Sequence, residues 1–508
     1  MDDLACLQQQ IRDLGLRLRV ESNRLLVRAG ACPLSAGLLS AIQERKQDLV
    51  ALLVEGGATV APNVAPLTFR QEWHWRIMQE EDSITSAKYM IPIALMLEGT
   101  LDVPLLAQSI DTLVIRHEPL RTRFIQVGST PMQQVDEPRV GQLVIEEVAA
   151  IGDADPEDGA RNALLSFFSE PIALYKGPLF RAKLLRLSDS KHILAICIHH
   201  MITDVESLTQ LFTELWKMYK EEDDDDRSQS PRRRFQFGDF SAWQRSSAFD
   251  GHEEFWNEKL RDARPVAWPA DTESVSDRRF AAKYINVDFR QSFSDELQRL
   301  AQRLGVIPGL VLLGAYAVFI THWCKQSEFV IPFVTNGRTA PEHANAMGWF
   351  SYPLLVRLRV EQDLAFTEFT EYVAREFMLA LEYADGGMHL LRQQPYISSG
   401  TLFRWATAVQ YNDAFAATRW MKSRRDFDIR LFPLQLKRAG SDTLRISPML
   451  LVLHLLHDGV KGGFAYRSDL FSQKRMGDLV QSMRVTFEDL IRQSNTRIGE
   501  RVSCISNQ

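Results

Sequence analysis

The spacing of apolar residues changes period repeatedly along this chain, and the changes divide it into alternating strands and helices. The sharpest change falls at residue 200. From His192 to Ile198 the chain is almost wholly apolar, as a buried strand would be. Beyond it Leu208, Leu211, Phe212, Leu215 and Tyr219 recur at helical spacing. Between them lies Ile198-His199-His200-Met201-Ile202-Thr203-Asp204-Val205, so two histidines and an aspartate occupy a strand-to-helix junction inside a core. Polar groups placed there need partners.

The first 57 residues read as a separate module. Leu4, Leu7, Ile11 and Leu14 follow a helical period. Residues 16–20 then alternate apolar and basic, Glu21-Ser22-Asn23 turns the chain, and residues 24–28 run back. This predicts a β-hairpin with an arginine-rich face of Arg17, Arg19, Arg24 and Arg28. A second helix starts near Ser35, a plausible N-cap, and stops at Gly56-Gly57. The four arginines are either a solvated face or an anion-attracting edge that takes an acidic peptide as an added strand. Residues 58–66, uncharged and with two prolines, form a linker.

Two α/β lobes are expected after the linker, over 67–235 and 236–508. In the first, residues 105–117 are helical, 120–127 and 132–135 are strands, and 179–187 with 192–199 form a hairpin around Asp189-Ser190-Lys191. Six carboxylates from Glu221 to Asp226, followed by Arg232-Arg233-Arg234, mark a solvated crossing between lobes. In the second, 308–320 is a buried helix, 328–334 a strand, 450–456 and 463–466 a hairpin, and 471–491 a closing amphipathic helix.

Composition adds mainly exclusions. A chain of 508 residues exceeds one compact core. A net charge of −6 gives no sign of a nucleic-acid surface. The 5 cysteines are widely spaced and form no CxxC pair, which fits a reducing cytoplasm and neither a zinc ribbon nor a disulfide framework. The N-terminus lacks the pattern of a signal peptide, and no run of about 18 apolar residues predicts a membrane span. A soluble cytoplasmic monomer is the expectation.

The candidate chemistry centres on His200. Imidazole titrates near neutrality, so it can accept a proton from a nucleophile or hold it in place. Adjacent strand residues face opposite ways, which leaves His199 as a core residue. A shared metal ion does not fit the pair, because no cysteine or carboxylate stands beside them at ligand spacing. Asp204 reads as structural and needs a cationic partner. His454 and His457 fall on opposite faces of a strand and are read as structural. Trp73, Trp75, Trp243 and Trp349 are read as core or lobe-interface residues.

Seven segments stand in one order: Pro66-Leu67-Thr68-Phe69-Arg70-Gln71-Glu72-Trp73, residues 116–124 (RHEPLRTRF), His199-His200-Met201-Ile202-Thr203-Asp204, residues 237–244 (FGDFSAWQ), Asn336-Gly337-Arg338, Met347-Gly348-Trp349-Phe350, and residues 466–471 (YRSDLF). The set resembles the motifs of the condensation domains of nonribosomal peptide synthetases, whose centre is HHxxxDG. That resemblance implies two chloramphenicol acetyltransferase-like lobes in a V, with His200 as the catalytic residue in a tunnel between them. It also implies no intrinsic cofactor, with phosphopantetheine supplied by a partner carrier protein. The partner of Asp204 would be an arginine of the second lobe. Arg338 is the candidate, with Arg116 and Arg121 as alternatives. Val205 stands where the family has glycine: either the backbone there is ordinary, or the acceptor side of the tunnel is reshaped.

The N-terminal module resembles tubulysin-type β-hairpin docking domains, which capture an acidic motif at the C-terminus of an upstream carrier protein. No adenylation, carrier or thioesterase pattern follows the last motif. The resemblance is therefore to a free-standing condensation enzyme, which joins an acyl thioester to an amine or hydroxyl, free or carrier-bound, and so allows chain release. The alternatives are a degenerate recruitment module, or an epimerisation domain, for which no EGHGR-like segment is found.

Overall fold

The computed structural model describes residues 17–21, 24–28, 41, 63–80, 89–148, 155–220, 235–246, 249, 251–264, 266–272, 282–384, 408–412, 427–432, 448–456 and 459–500. The helices expected around 4–14 and 35–53, the acidic run 221–226 with Arg232–Arg234, and His457 lie outside these residues. The chain divides into two compact units, Met1–Ala65 and Pro66–Gln508.

In the first unit Arg17–Glu21 pairs antiparallel with Arg24–Arg28, and Arg17 stands opposite Arg28 and Glu21 opposite Arg24. Strand alternation places positions 17, 19, 24 and 28 on one face of this ribbon.

The second unit holds two large sheets and a smaller one in which Thr122–Val127 pairs antiparallel with Thr130–Val135. The first runs Phe427–Leu431, Met90–Gly99, Lys191–His199, Phe180–Ser188, Leu143–Glu147. Lys191–His199 lies near its middle, and every residue from His192 to His199 is buried. That is why its sequence is apolar on both faces. Helix Val103–Arg116 buries Leu106, Ile110, Leu113 and Val114, and helix Val205–Tyr219 buries Leu211, Phe212, Leu215 and Tyr219. The second sheet runs Ala282–Phe289, Gly459–Arg467, Met449–Leu456, Ala408–Asn412, Glu328–Thr335, Tyr352–Arg359. Helix Pro308–Cys324 packs in its core and is apolar all round because residues 309–320 are all buried. Among the described residues no single helix is long and apolar enough to cross a membrane.

The expected division at residue 235 needs correction. Phe427–Leu431 pairs antiparallel with Met90–Gly99 at the edge of the first sheet. Ala346, Met347, Trp349 and Phe350 belong to the first sheet's core, together with Phe237 and Phe240. Parts of the second half of the chain thus complete the first lobe, and both carry apolar side chains that the first core buries.

Candidate active site

The strand ends at His199, and the chain then makes a 3₁₀ turn, His200–Ile202, before helix Val205–Tyr219. The two histidines separate at that break. His199 is buried, and its Nδ1 accepts from the Met201 N–H at 3.1 Å. Burial first, and then the neighbouring His200, hold its pKa at about 3, so it is a neutral structural imidazole. His200 is half-buried. Its Nδ1 lies 3.0 Å from the Thr203 carbonyl. A carbonyl only accepts, so Nδ1 carries the proton and Nε2 the lone pair. The pKa of His200 lies below its ordinary value, mainly through burial, with the positive charge of Arg70 acting in the same direction.

Asp204 fixes the end of this loop. It caps helix Val205–Tyr219 by accepting from the Ser207 N–H at 2.8 Å. Its Oδ2 accepts from Arg338 Nη1 and from the Phe350 and Ser351 N–H groups, each at 3.0 Å. Its Oδ1 accepts from Arg338 Nη2 at 3.2 Å. Only 4% of the Arg338 side chain and 2% of the Asp204 side chain are exposed, so this is a buried ion pair with nearly all its hydrogen-bonding capacity used. Arg338 also donates to Ser207 Oγ at 2.9 Å and the Ala346 carbonyl at 3.2 Å, and stacks 4.5 Å over the Phe350 ring. Residue 337 must be glycine: its φ is +67°, and a Cβ there would sit 2.0 Å from the Phe350 carbonyl oxygen.

Arg116 and Arg121 do not join the site. Arg116 donates to Glu214 at 3.0 Å, beside His117, and Arg121 donates to the Asp136 carbonyl at 2.6 Å. They are the last residues of the helix Val103–Arg116 and of the 3₁₀ turn Glu118–Arg121, and are held by contacts within the first lobe. Val205 opens its helix with no positive φ, so the backbone is ordinary, and its side chain is exposed.

Two groups at the site lie inside the motif segments but were not singled out there for a role at the site. Trp349 lies with its ring centroid 4.5 Å from that of His200, and His74 meets the same indole edge-on at 5.1 Å. Gln71 donates to the Met201 carbonyl at 2.9 Å and to Gln133 at 3.1 Å, which ties the histidine turn to helix Phe69–Glu80. Polarity was the available signal for Gln71: it is fully buried, and buried amides are bonded. Among the described residues no cluster of histidine, cysteine and carboxylate groups is arranged to hold a metal ion.

Comparison with known proteins places this geometry. The family model described as Condensation domain matches residues 61–506. Surfactin synthase subunit 1 of Bacillus subtilis (strain 168) is 29% identical over 324 residues, covering 63% of this chain and 9% of its own length. The chain thus spans less than a tenth of that relative. The X-domain from teicoplanin biosynthesis superposes with a TM-score of 0.67 at 20% identity, over 87% of this chain and 98% of that one. The SgcC5 protein from Streptomyces globisporus does so with a TM-score of 0.67 at 17% identity, over 85% of this chain and 100% of that one. The fold is that of two chloramphenicol acetyltransferase-like α/β lobes, as the ordered motifs implied. With the family match covering most of its length, the chain belongs to the condensation-domain family.

Proposed function

We propose that this chain transfers an acyl group from the phosphopantetheine thioester of a carrier protein to an amine or hydroxyl acceptor, forming an amide or an ester. The observation that carries the reading is the orientation of His200: Nδ1 is bound to the Thr203 carbonyl, which leaves the Nε2 lone pair for the nucleophile. The acceptor's N–H or O–H hydrogen-bonds to Nε2 while its heteroatom attacks the thioester carbon. The proton passes to Nε2 and the carbonyl becomes an oxyanion. Collapse of that intermediate breaks the C–S bond, and the imidazolium returns the proton to the departing thiolate. A depressed pKa keeps His200 a neutral acceptor at pH 7. An amine that is already neutral needs mainly positioning; a hydroxyl needs the base.

The arginine-bearing hairpin serves, in this reading, to recruit the carrier through an acidic tail, by charge and by strand addition. A hydroxyl acceptor has one point of support: SgcC5, which shares the fold, was solved with (R)-(−)-1-(2-naphthyl)-1,2-ethanediol, a diol. The test is to incubate the protein with acyl-loaded carriers and a panel of amines and alcohols, and to follow carrier mass and product by mass spectrometry. Acyl loss from the carrier with matching amide or ester is the expected result. Carrier binding without any transfer would instead support a recruitment module.

A further inference from the structure

Arg70 lies in the first turn of the helix Phe69–Glu80, and its guanidinium carbon is 4.9 Å from the Trp73 ring centroid and 5.1 Å from that of Trp349. Trp349 is also the ring that packs against His200 at 4.5 Å. Arg70 and His200 are therefore no further apart than those two distances to the shared ring allow, and the charge of Arg70 is felt at the imidazole. Its Nε is buried and makes no hydrogen bond. Among the described residues no carboxylate serves it. Glu72, two residues on, is taken by Arg76 and Arg245, and Asp204 is taken by Arg338. Burial alone moves its pKa, down to about 10, so it remains a cation at neutral pH.

A half-buried cation without a counter-ion, one tryptophan ring away from His200, is matched by negative charge that arrives with the substrate. Stacking on tryptophan offsets part of the desolvation and leaves the N–H edge of the guanidinium to donate. The phosphate of a carrier arm is held away from its thioester by the whole pantetheine, so it does not supply this charge. The donor's own carboxyl group is consumed in the thioester, and so is that of any carrier-bound acceptor. A free amino or hydroxy acid keeps its carboxylate.

We propose that Arg70 selects the acceptor: it receives the carboxylate of a free amino acid or hydroxy acid while the acceptor's amine or hydroxyl meets Nε2 of His200. This inference rests on the acyl-transfer reading and extends it to the acceptor, which on this account diffuses in free rather than arriving on a second carrier.

The experiment pairs 3-aminobenzoate and 3-hydroxybenzoate with the corresponding benzamides, using one neutral acyl group loaded on a carrier. Turnover is read by mass spectrometry, and binding without donor by ligand-observed NMR. In the wild type the acids are expected to bind and react about ten- to a hundredfold better than the amides, the range of one charge-assisted hydrogen-bonded contact. In Arg70→Gln that ratio falls toward one, and Arg70→Lys keeps part of it. Equal binding of acids and amides by the folded wild type would overturn the inference, as would a preference that survives in Arg70→Gln. An equal loss of kcat for acids and amides in Arg70→Gln, with binding unchanged, would assign the cation to the oxyanion instead and also overturn it. Absence of turnover together with acid-selective binding lost in Arg70→Gln would count against acyl transfer and leave the carboxylate site standing.

Discussion

The buried pair between Asp204 and Arg338 holds the histidine turn against the rest of the site, and Asp204→Asn tests that role at constant volume. The carboxylate accepts from three backbone N–H groups and from two nitrogens of Arg338. An asparagine offers one acceptor oxygen and no charge. Arg338, with 4% of its side chain exposed, would then be a buried cation without a counter-ion. Removing one member of such a pair destabilises by about 3–5 kcal/mol. Leaving a buried Phe350 or Ser351 N–H unbonded adds about 1–3 kcal/mol, although the terms share partners and do not sum. Arg338→Met removes the cation but leaves Asp204 its three backbone donors, so a smaller loss is expected. In the double variant no buried charge lacks a partner, and the two changes together should be less harmful than their sum by at least about 1 kcal/mol. Urea unfolding of the four proteins, followed by tryptophan fluorescence, measures this. An unchanged midpoint for Asp204→Asn, or strictly additive single effects, would refute the argument.

Three further outcomes follow from the same structure. His200 has a pKa below its ordinary 6.5, so kcat/KM should stay level as pH falls through 6.5 and decline only beneath the depressed value; Arg70→Gln removes a charge that lowers it and should move the acid limb to higher pH. His199 has a folded pKa of about 3 against an ordinary 6.5, so the unfolded chain takes the proton first. Its contribution to stability is complete above pH 6.5 and lost as pH falls toward 3, and His199→Gln should flatten the unfolding midpoint across that window. Arg19→Glu with Arg24→Glu should raise the carrier concentration needed for half-maximal turnover while leaving the rate at saturation, and unchanged turnover at low carrier concentration would remove the hairpin from recruitment.

Much of the fold was legible because local pattern and burial agree where elements are long. The apolar run 192–198 is a strand near the middle of its sheet, and the helical repeat from 208 to 219 is an amphipathic helix. Of that repeat only Leu208 falls outside the buried set, since the helix turns it toward the edge of the core. Chain crossings were not legible. Phe427–Leu431 has the alternation of any short strand, and nothing in five residues says which sheet it joins. The site divides in the same way. Arg338 and Asp204 were found through an ordered set of motifs, whereas Arg116 and Arg121, of the same charge and nearer in sequence, are held by Glu214 and the Asp136 carbonyl. The meeting of Arg70, Trp349 and His200 depends on segments far apart in the chain, each with ordinary composition.

The central claim is that Nε2 of His200 serves the nucleophile in acyl transfer. Its most direct test is single-turnover loss of the acyl group from a loaded carrier, followed by intact-protein mass spectrometry, with wild type and His200→Ala at the same saturating acceptor. The account predicts transfer by the wild type and a fall of roughly a hundredfold or more in the variant, with carrier binding retained. Equal transfer rates for the two proteins, at pH 7 and with an alcohol acceptor, would contradict it.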